Sequence, residues 1–120
     1  MTFLTAGPRY NLEQICAVTY LANYGMQIAI GNNLANSPWG AAGEPARDAY
    51  RHGVLYAITH QPVPAEQHAE WVRYHTARRT QHPNLVPWDD LPVNERDKDA
   101  VFLAVVNQLA GGAPPAGGGR

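Results

Sequence analysis

Two histidines, a tryptophan and two arginines lie at helical spacing in one short segment, and together they have the chemistry of a ligand site. His68, Trp71 and His75 are at positions i, i+3 and i+7, which places them on one face of a helix. Arg78 and Arg79 follow one turn later. An indole stacks on flat molecules, a guanidinium pairs with phosphate, and an imidazole donates or accepts hydrogen bonds. The pattern indicates a site for a flat anionic ligand.

The same residues also fit a helix with a purely structural role. In that interpretation Trp71 is a partly buried packing residue and the two histidines beside it are surface polar groups. The residue pattern alone favours the structural interpretation over the ligand site.

Spacing argues against metal binding and nucleophilic catalysis. The five histidines are seven or eight residues apart, so no pair has the i, i+4 spacing of a helical metal site, and Cys16 is the only cysteine. Thr76 and Thr80 have no nucleophile motif around them, and Asp89-Asp90 is typical of helix capping. We therefore predict no catalytic residue, no metal, no cofactor and no enzymatic activity.

Composition indicates one small domain. The chain has 120 residues, 45% of them hydrophobic, and a formal charge of −1, which provides no general attraction to nucleic acid or to an anionic membrane. The longest apolar run, 100–106, is too short to span a bilayer, and the N-terminus lacks the pattern of a signal peptide. We expect a cytoplasmic protein without nucleic-acid or membrane partners.

Four helices are predicted to position these residues in a mainly α, single-domain bundle with short extended segments. A capping box of Asn11 and Gln14 predicts where the first helix begins, and Gly31-Asn32-Asn33 predicts where it ends. The helices are predicted over 11–30, about 45–59, from 64 onward, and about 93–110. We expect an N-terminal arm at 1–10, a helical domain at 11–110 and a disordered tail at 111–120.

Apolar periodicity predicts the core. Cys16 is expected to be a small core residue, and Trp39 is expected to anchor its loop on the core. The second helix has a stripe of Ala46, Tyr50, Gly53, Val54 and Ala57. The third has a narrow apolar edge of Ala65, Ala69, Val72 and Thr76, with the His68–Trp71–His75 stripe at its rim. The fourth is expected to bury Val101, Phe102, Val105, Val106 and Leu109.

Three blocks in the second half of the chain carry a family resemblance. They read H-A-E-W at 68–71, H-P-N-L-V-P-W-D-D-L-P at 82–92 and K-D-A-V-F at 98–102. Together they resemble the RyR domain, the repeat of ryanodine receptors that also occurs in stand-alone phage and actinobacterial proteins. Upstream positions that resemble stand-alone members are Tyr20, Asn23, Trp39 and Gly53-Val54. The resemblance covers about residues 15–110.

The resemblance implies a mainly helical, non-enzymatic domain that binds a nucleotide. In such repeats the tryptophan of the H-x-x-W motif stacks on an adenine ring, which implicates His68 and Trp71 here. The basic position four residues after the tryptophan is His75, and the ligand-facing position of the H-P-x-L block is Asn84. The family's G-W-x-Y-G segment has no counterpart in 72–81.

The sequence thus predicts a protein that binds a small nucleotide-like molecule. Trp71 would stack on the base, His68 and Asn84 would hydrogen-bond to it, and Arg78 or Arg79 would contact phosphate. The alternative is a protein-interaction or homo-oligomerisation module, such as a phage accessory protein, with the Trp71 stripe as its interface and no small ligand.

Overall fold

Four α-helices form the part of the chain that a computed structural model describes, residues 10–29 and 39–111. They are α1 (Leu12–Ala29), α2 (Glu44–His60), α3 (Pro64–Ala77) and α4 (Val93–Leu109), with short 3-10 helices at Trp39–Ala41 and Trp88–Asp90. The predicted mainly α bundle of about four helices is confirmed. Residues 1–9 of the predicted arm, the predicted stop at 31–33 and residues 112–120 of the predicted tail lie outside the described residues.

Local signals set the helix ends much as predicted. Asn11 and Gln14 form the reciprocal capping box, since each side-chain oxygen accepts a hydrogen bond from the other residue's backbone N–H at 2.9 Å. Helix α2 ends where Gln61 adopts a left-handed conformation with φ 47°. Pro64 is the first residue of α3, where its missing N–H costs nothing.

The apolar core lies between α1, α2 and α4. Its buried residues are Ile15, Cys16, Val54, Ala57, Leu103 and Val106. Cys16 and Trp39 behave as predicted, because Cys16 is fully buried and Trp39 packs against the core from its loop. Two details of the prediction were wrong. Ala46 is exposed, and α4 buries Leu103 with Val106 while Val101, Phe102, Val105 and Leu109 are only partly covered.

Helix α3 uses a polar face for packing, which corrects the predicted apolar edge. Its buried residues are Gln67 and His68, whereas Ala69 and Thr76 are exposed. Gln67 Nε2 donates to the backbone oxygen of Gly53 at 3.1 Å. A Cβ atom on Gly53 would lie 3.5 Å from that Nε2 and 3.4 Å from Phe102 Cζ, which are ordinary van der Waals distances, so α3 and α4 pack closely beside this position. Hydrogen bonds of this kind leave no trace in apolar periodicity.

The connection from α3 to α4 returns the H-P-N-L-V-P block to α3. Arg79 takes a left-handed conformation with φ 57°, and a turn follows in which the N–H of Leu85 donates to the oxygen of His82 at 3.1 Å. Leu91 is buried, and the Arg96 side chain donates to its oxygen at 3.1 Å. Residues 82–88 were predicted to be extended; the segment instead contains this turn and leads into the second 3-10 helix at Trp88–Asp90. None of the described helices is long and apolar enough to cross a membrane.

Candidate functional site

A cavity of about 380 Å³ opens between the helices, with walls from all four and from the α3–α4 connection. This volume falls within the roughly 300–1,000 Å³ of small-molecule sites. The cavity is lined by aromatic rings, amides and ionisable groups rather than by aliphatic side chains alone. A mixture of flat apolar surfaces with a few polar groups is typical of such sites.

Four of the six predicted site residues line this cavity, although they come from two separate segments. They are His68, Trp71 and His75 of α3 and Asn84 of the connection. The two arginines, Arg78 and Arg79, are exposed and do not line it. The Arg78 guanidinium lies over the ring of Tyr74, 3.6 Å from its centroid, and Tyr74 is itself a lining residue. Arg78 is therefore adjacent to the cavity wall.

His68 is a buried structural histidine, not a surface polar group. It is 4% exposed, and its Nε2 lies 2.7 Å from the backbone oxygen of Val86. Because a carbonyl oxygen can only accept, Nε2 must carry a hydrogen. The other ring nitrogen, Nδ1, lies 3.8 Å from Oδ2 of Asp99. His68 thus ties α3 to the H-P-N-L-V-P block and presents Nδ1 to a carboxyl group.

Trp71 packs among three imidazole rings. The ring of His68 is stacked on it, with centroids 5.6 Å apart and an angle of 23° between the planes. His75 is tilted against it at 4.8 Å, and His82 meets it edge-on at 5.3 Å. Trp71 is also a lining residue of the cavity, so part of its ring surface is available to a ligand there.

His75 and His82 occupy environments that favour the neutral imidazole. Burial lowers the pKa of both histidines below their ordinary value, and the neighbouring charges of His82 and Arg78 lower that of His75 further. Nδ1 of His82 accepts the N–H of Asn84 at 3.0 Å. Nδ1 of His75 is buried and has no hydrogen-bond partner within the described residues.

Asn84 belongs to a polar chain on the wall of the cavity. Its Nδ2 donates to Oε1 of Glu95 at 2.9 Å, and Lys98 Nζ lies 2.7 Å from the same oxygen. The Lys98 and Glu95 side chains are only 17% and 12% exposed, so this ion pair is partly shielded from water. Asn84 is held in place by α4 and keeps its Oδ1 for other partners.

Asp99 lines the cavity but was not among the site residues predicted from the sequence. Burial raises the pKa of its carboxyl from 3.8 to about 7, with Glu95 adding to the effect and Lys98 opposing it. In the sequence Asp99 belongs to the K-D-A-V-F block, which points to the family resemblance and not to a binding role. A helical signal was present, however, because Glu95, Asp99 and Phe102 lie at i, i+4 and i+7 on one face.

The wall formed by α1 and α2 adds two amides and a phenol. Asn23 Nδ2 donates to the Tyr50 hydroxyl at 2.5 Å, and burial raises the pKa of Tyr50 to about 12. Two amide oxygens, Asn23 Oδ1 and Gln67 Oε1, are buried without a hydrogen-bond partner in the described residues. Buried polar atoms are normally paired, so these oxygens mark places where a partner is missing.

The structure also places the residues that were considered and rejected as catalytic or metal-binding candidates. Thr76, Thr80, Asp89 and Asp90 are exposed. Among residues 10–29 and 39–111, no group of three or more His, Cys, Asp or Glu side chains is placed to hold a metal ion. Comparison with family models, curated proteins and solved structures finds no match to this chain.

Proposed function

We propose that this protein binds a small, planar, nucleotide-like molecule in the cavity and carries out no reaction on it. The supporting observation is that His68, Trp71, His75 and Asn84 line one cavity of about 380 Å³. Their convergence is not a consequence of helical spacing alone, because Asn84 comes from the connection after α3. The RyR-like motifs favour the same kind of ligand.

Each lining residue has a distinct role in the proposed complex. The base stacks on the face of Trp71 that His68 does not cover. Asn84 hydrogen-bonds to the base through Oδ1, since Nδ2 is engaged by Glu95. His68 positions Trp71 and offers only Nδ1, because Nε2 is held by Val86. Arg78, which lies over Tyr74 at the cavity wall, is the cation for a phosphate that extends outside.

Isothermal titration calorimetry with ATP, ADP, ADP-ribose, cyclic nucleotides and nucleosides tests the proposal. We expect heat with at least one of them and a loss of binding in Trp71→Ala. The matched control is Tyr56→Ala, because Tyr56 is a partly buried ring that does not line this cavity. The absence of heat with every compound, or unchanged binding in Trp71→Ala, would refute the proposed function.

Homo-oligomerisation is a second candidate, and a different surface favours it. Val18, Leu21 and Ile28 are 43%, 52% and 56% exposed and lie on one face of α1. Trp71, by contrast, lines the cavity between the helices. Light scattering of wild type and Leu21→Glu separates the two functions: a dimer that dissociates in Leu21→Glu supports oligomerisation, and a wild-type monomer excludes it.

A further inference from the structure

Asp99 is a partly buried carboxyl group in the cavity wall, and none of the described residues donates a hydrogen bond to it. Its side chain is 22% exposed, and Nδ1 of His68 lies 3.8 Å from its Oδ2. That separation is longer than a hydrogen bond. The Asp99 oxygens are not among the fully buried unpaired side-chain atoms of the described residues, so they remain accessible from the cavity and can accept donors from a ligand.

The other carboxylates of the cavity already have partners. Glu95 accepts from Asn84 and pairs with Lys98 at 2.7 Å. Glu70 accepts from Arg73 at 2.6 Å and lies 2.7 Å from Nε2 of His52. The cation beside Asp99 in the chain, Lys98, is thus engaged by Glu95. Asp99 differs from both glutamates in having no such donor.

A second unpaired acceptor lies on the same cavity. Gln67 Nε2 donates to the oxygen of Gly53, and this fixes the orientation of the amide, because an amide oxygen there would face another acceptor. Oε1 of Gln67 is therefore the buried atom without a partner. Because Oε1 of Gln67 is fully buried, the Asp99 carboxylate is the one of these two acceptors that a ligand in the cavity can reach.

Building on the proposed function, we propose that Asp99 is a ligand-binding residue that accepts two adjacent N–H donors from the edge of a planar heterocycle. A carboxylate has two oxygens on one side and pairs bidentately with such an edge. Among the nucleobases, guanine presents this arrangement through its ring N1–H and its 2-amino group. Adenine presents an amino group beside a ring acceptor, and hypoxanthine lacks the amino group.

The test compares guanosine, inosine and adenosine by calorimetry at pH 8, since these nucleosides carry no phosphate that would contact Arg78. Inosine is the matched ligand, because it differs from guanosine only in lacking the 2-amino group. We expect guanosine to bind at least about tenfold more tightly than inosine or adenosine. Asp99→Asn, which replaces one acceptor oxygen by a donor group, should abolish that preference.

Asp97→Asn is the matched control variant, because it removes the same charge from an exposed position on the same helix and should keep the preference. Equal binding of guanosine and inosine, or an unchanged preference in Asp99→Asn, would overturn the role of Asp99 and leave the proposed function standing. Failure of every nucleoside and nucleotide to bind would overturn the proposed function itself.

Discussion

Replacing Asp99 by asparagine should stabilise the protein at neutral and alkaline pH. Asparagine has nearly the same shape but no charge, so the folded state no longer has to hold a partly buried ionised group to which none of the described residues donates. The substitution therefore separates the contribution of the carboxylate to folding from its proposed contribution to binding. Residues selected for binding commonly cost stability in this way.

The expected magnitude follows from the pKa of Asp99, which burial raises from 3.8 to about 7. A group whose pKa is raised by folding contributes stability below its unfolded pKa, and that contribution is lost as the pH rises through the folded pKa. Each pH unit between the two values corresponds to about 1.4 kcal/mol. The ionised carboxylate therefore costs the wild-type protein up to about 4 kcal/mol by pH 8, whereas at pH 4 the cost is below about 1 kcal/mol.

Urea unfolding followed by circular dichroism at pH 4, 6 and 8 measures this difference. The free energy of unfolding of Asp99→Asn should exceed that of wild type by an amount that grows from pH 4 to pH 8. Burial lowers the pKa of His75 and His82, but both proteins contain these histidines, so their effect cancels in the difference. Asp97→Asn should follow wild type at every pH, because that position is exposed.

Two results would contradict this reasoning. A difference between Asp99→Asn and wild type that stays constant from pH 4 to pH 8 would mean that the carboxyl does not titrate in the interval created by burial. A variant that is less stable than wild type at pH 8 would mean that donors within the protein already stabilise the carboxylate.

Three further predictions concern binding, packing and reactivity. If the ionised Asp99 accepts hydrogen bonds from guanosine, the affinity for guanosine should rise about tenfold from pH 6 to pH 8. Asp99→Asn should remove this rise, although the other ionisable groups around the site, His68, Glu95, Lys98 and Tyr50, are unchanged. Calorimetry at the two pH values measures the affinity, and an affinity that does not change with pH would contradict the prediction. His68→Phe should lower the free energy of unfolding by about 1–3 kcal/mol because it leaves the Val86 oxygen without its donor. Urea unfolding measures this loss, with His60→Phe as the control at an exposed position. Equal effects of the two substitutions would argue against the prediction. Cys16 is fully buried, and burial raises the pKa of its thiol to about 11. Iodoacetamide at pH 8 should therefore label the native protein far more slowly than the urea-unfolded protein. Mass spectrometry gives the two labelling rates, and similar rates would mean that the core opens readily.

Much of the fold could be predicted from the sequence because its signals are local. The Asn11–Gln14 capping box, Pro64 at the start of α3 and the buried Cys16 depend on neighbours along the chain. The face of α3 could not be predicted in the same way. Gln67 and His68 are buried because of hydrogen bonds to Gly53 and Val86, which lie 14 and 18 residues away.

The residues of the candidate site were also predictable only where the signal was local or carried by a motif. Helical spacing brought His68, Trp71 and His75 together, and the family resemblance added Asn84. Asp99 was missed because its chemical interest arises from burial and from a missing partner, neither of which a motif contains. Arg78 and Arg79 were expected at the site because of their charge, but they follow the end of α3 and are exposed.

The most direct test of the central claim is nuclear magnetic resonance of the tryptophan indole N–H groups during addition of guanosine or a nucleotide. Trp71 lines the cavity, whereas Trp39 packs against the apolar core, is not one of the lining residues and serves as an internal control. A ligand that stacks on Trp71 should shift the Trp71 indole signal in a saturable manner and leave that of Trp39 unchanged. Signals of both residues that stay in place throughout the titration, or a shift confined to Trp39, would contradict binding in this cavity.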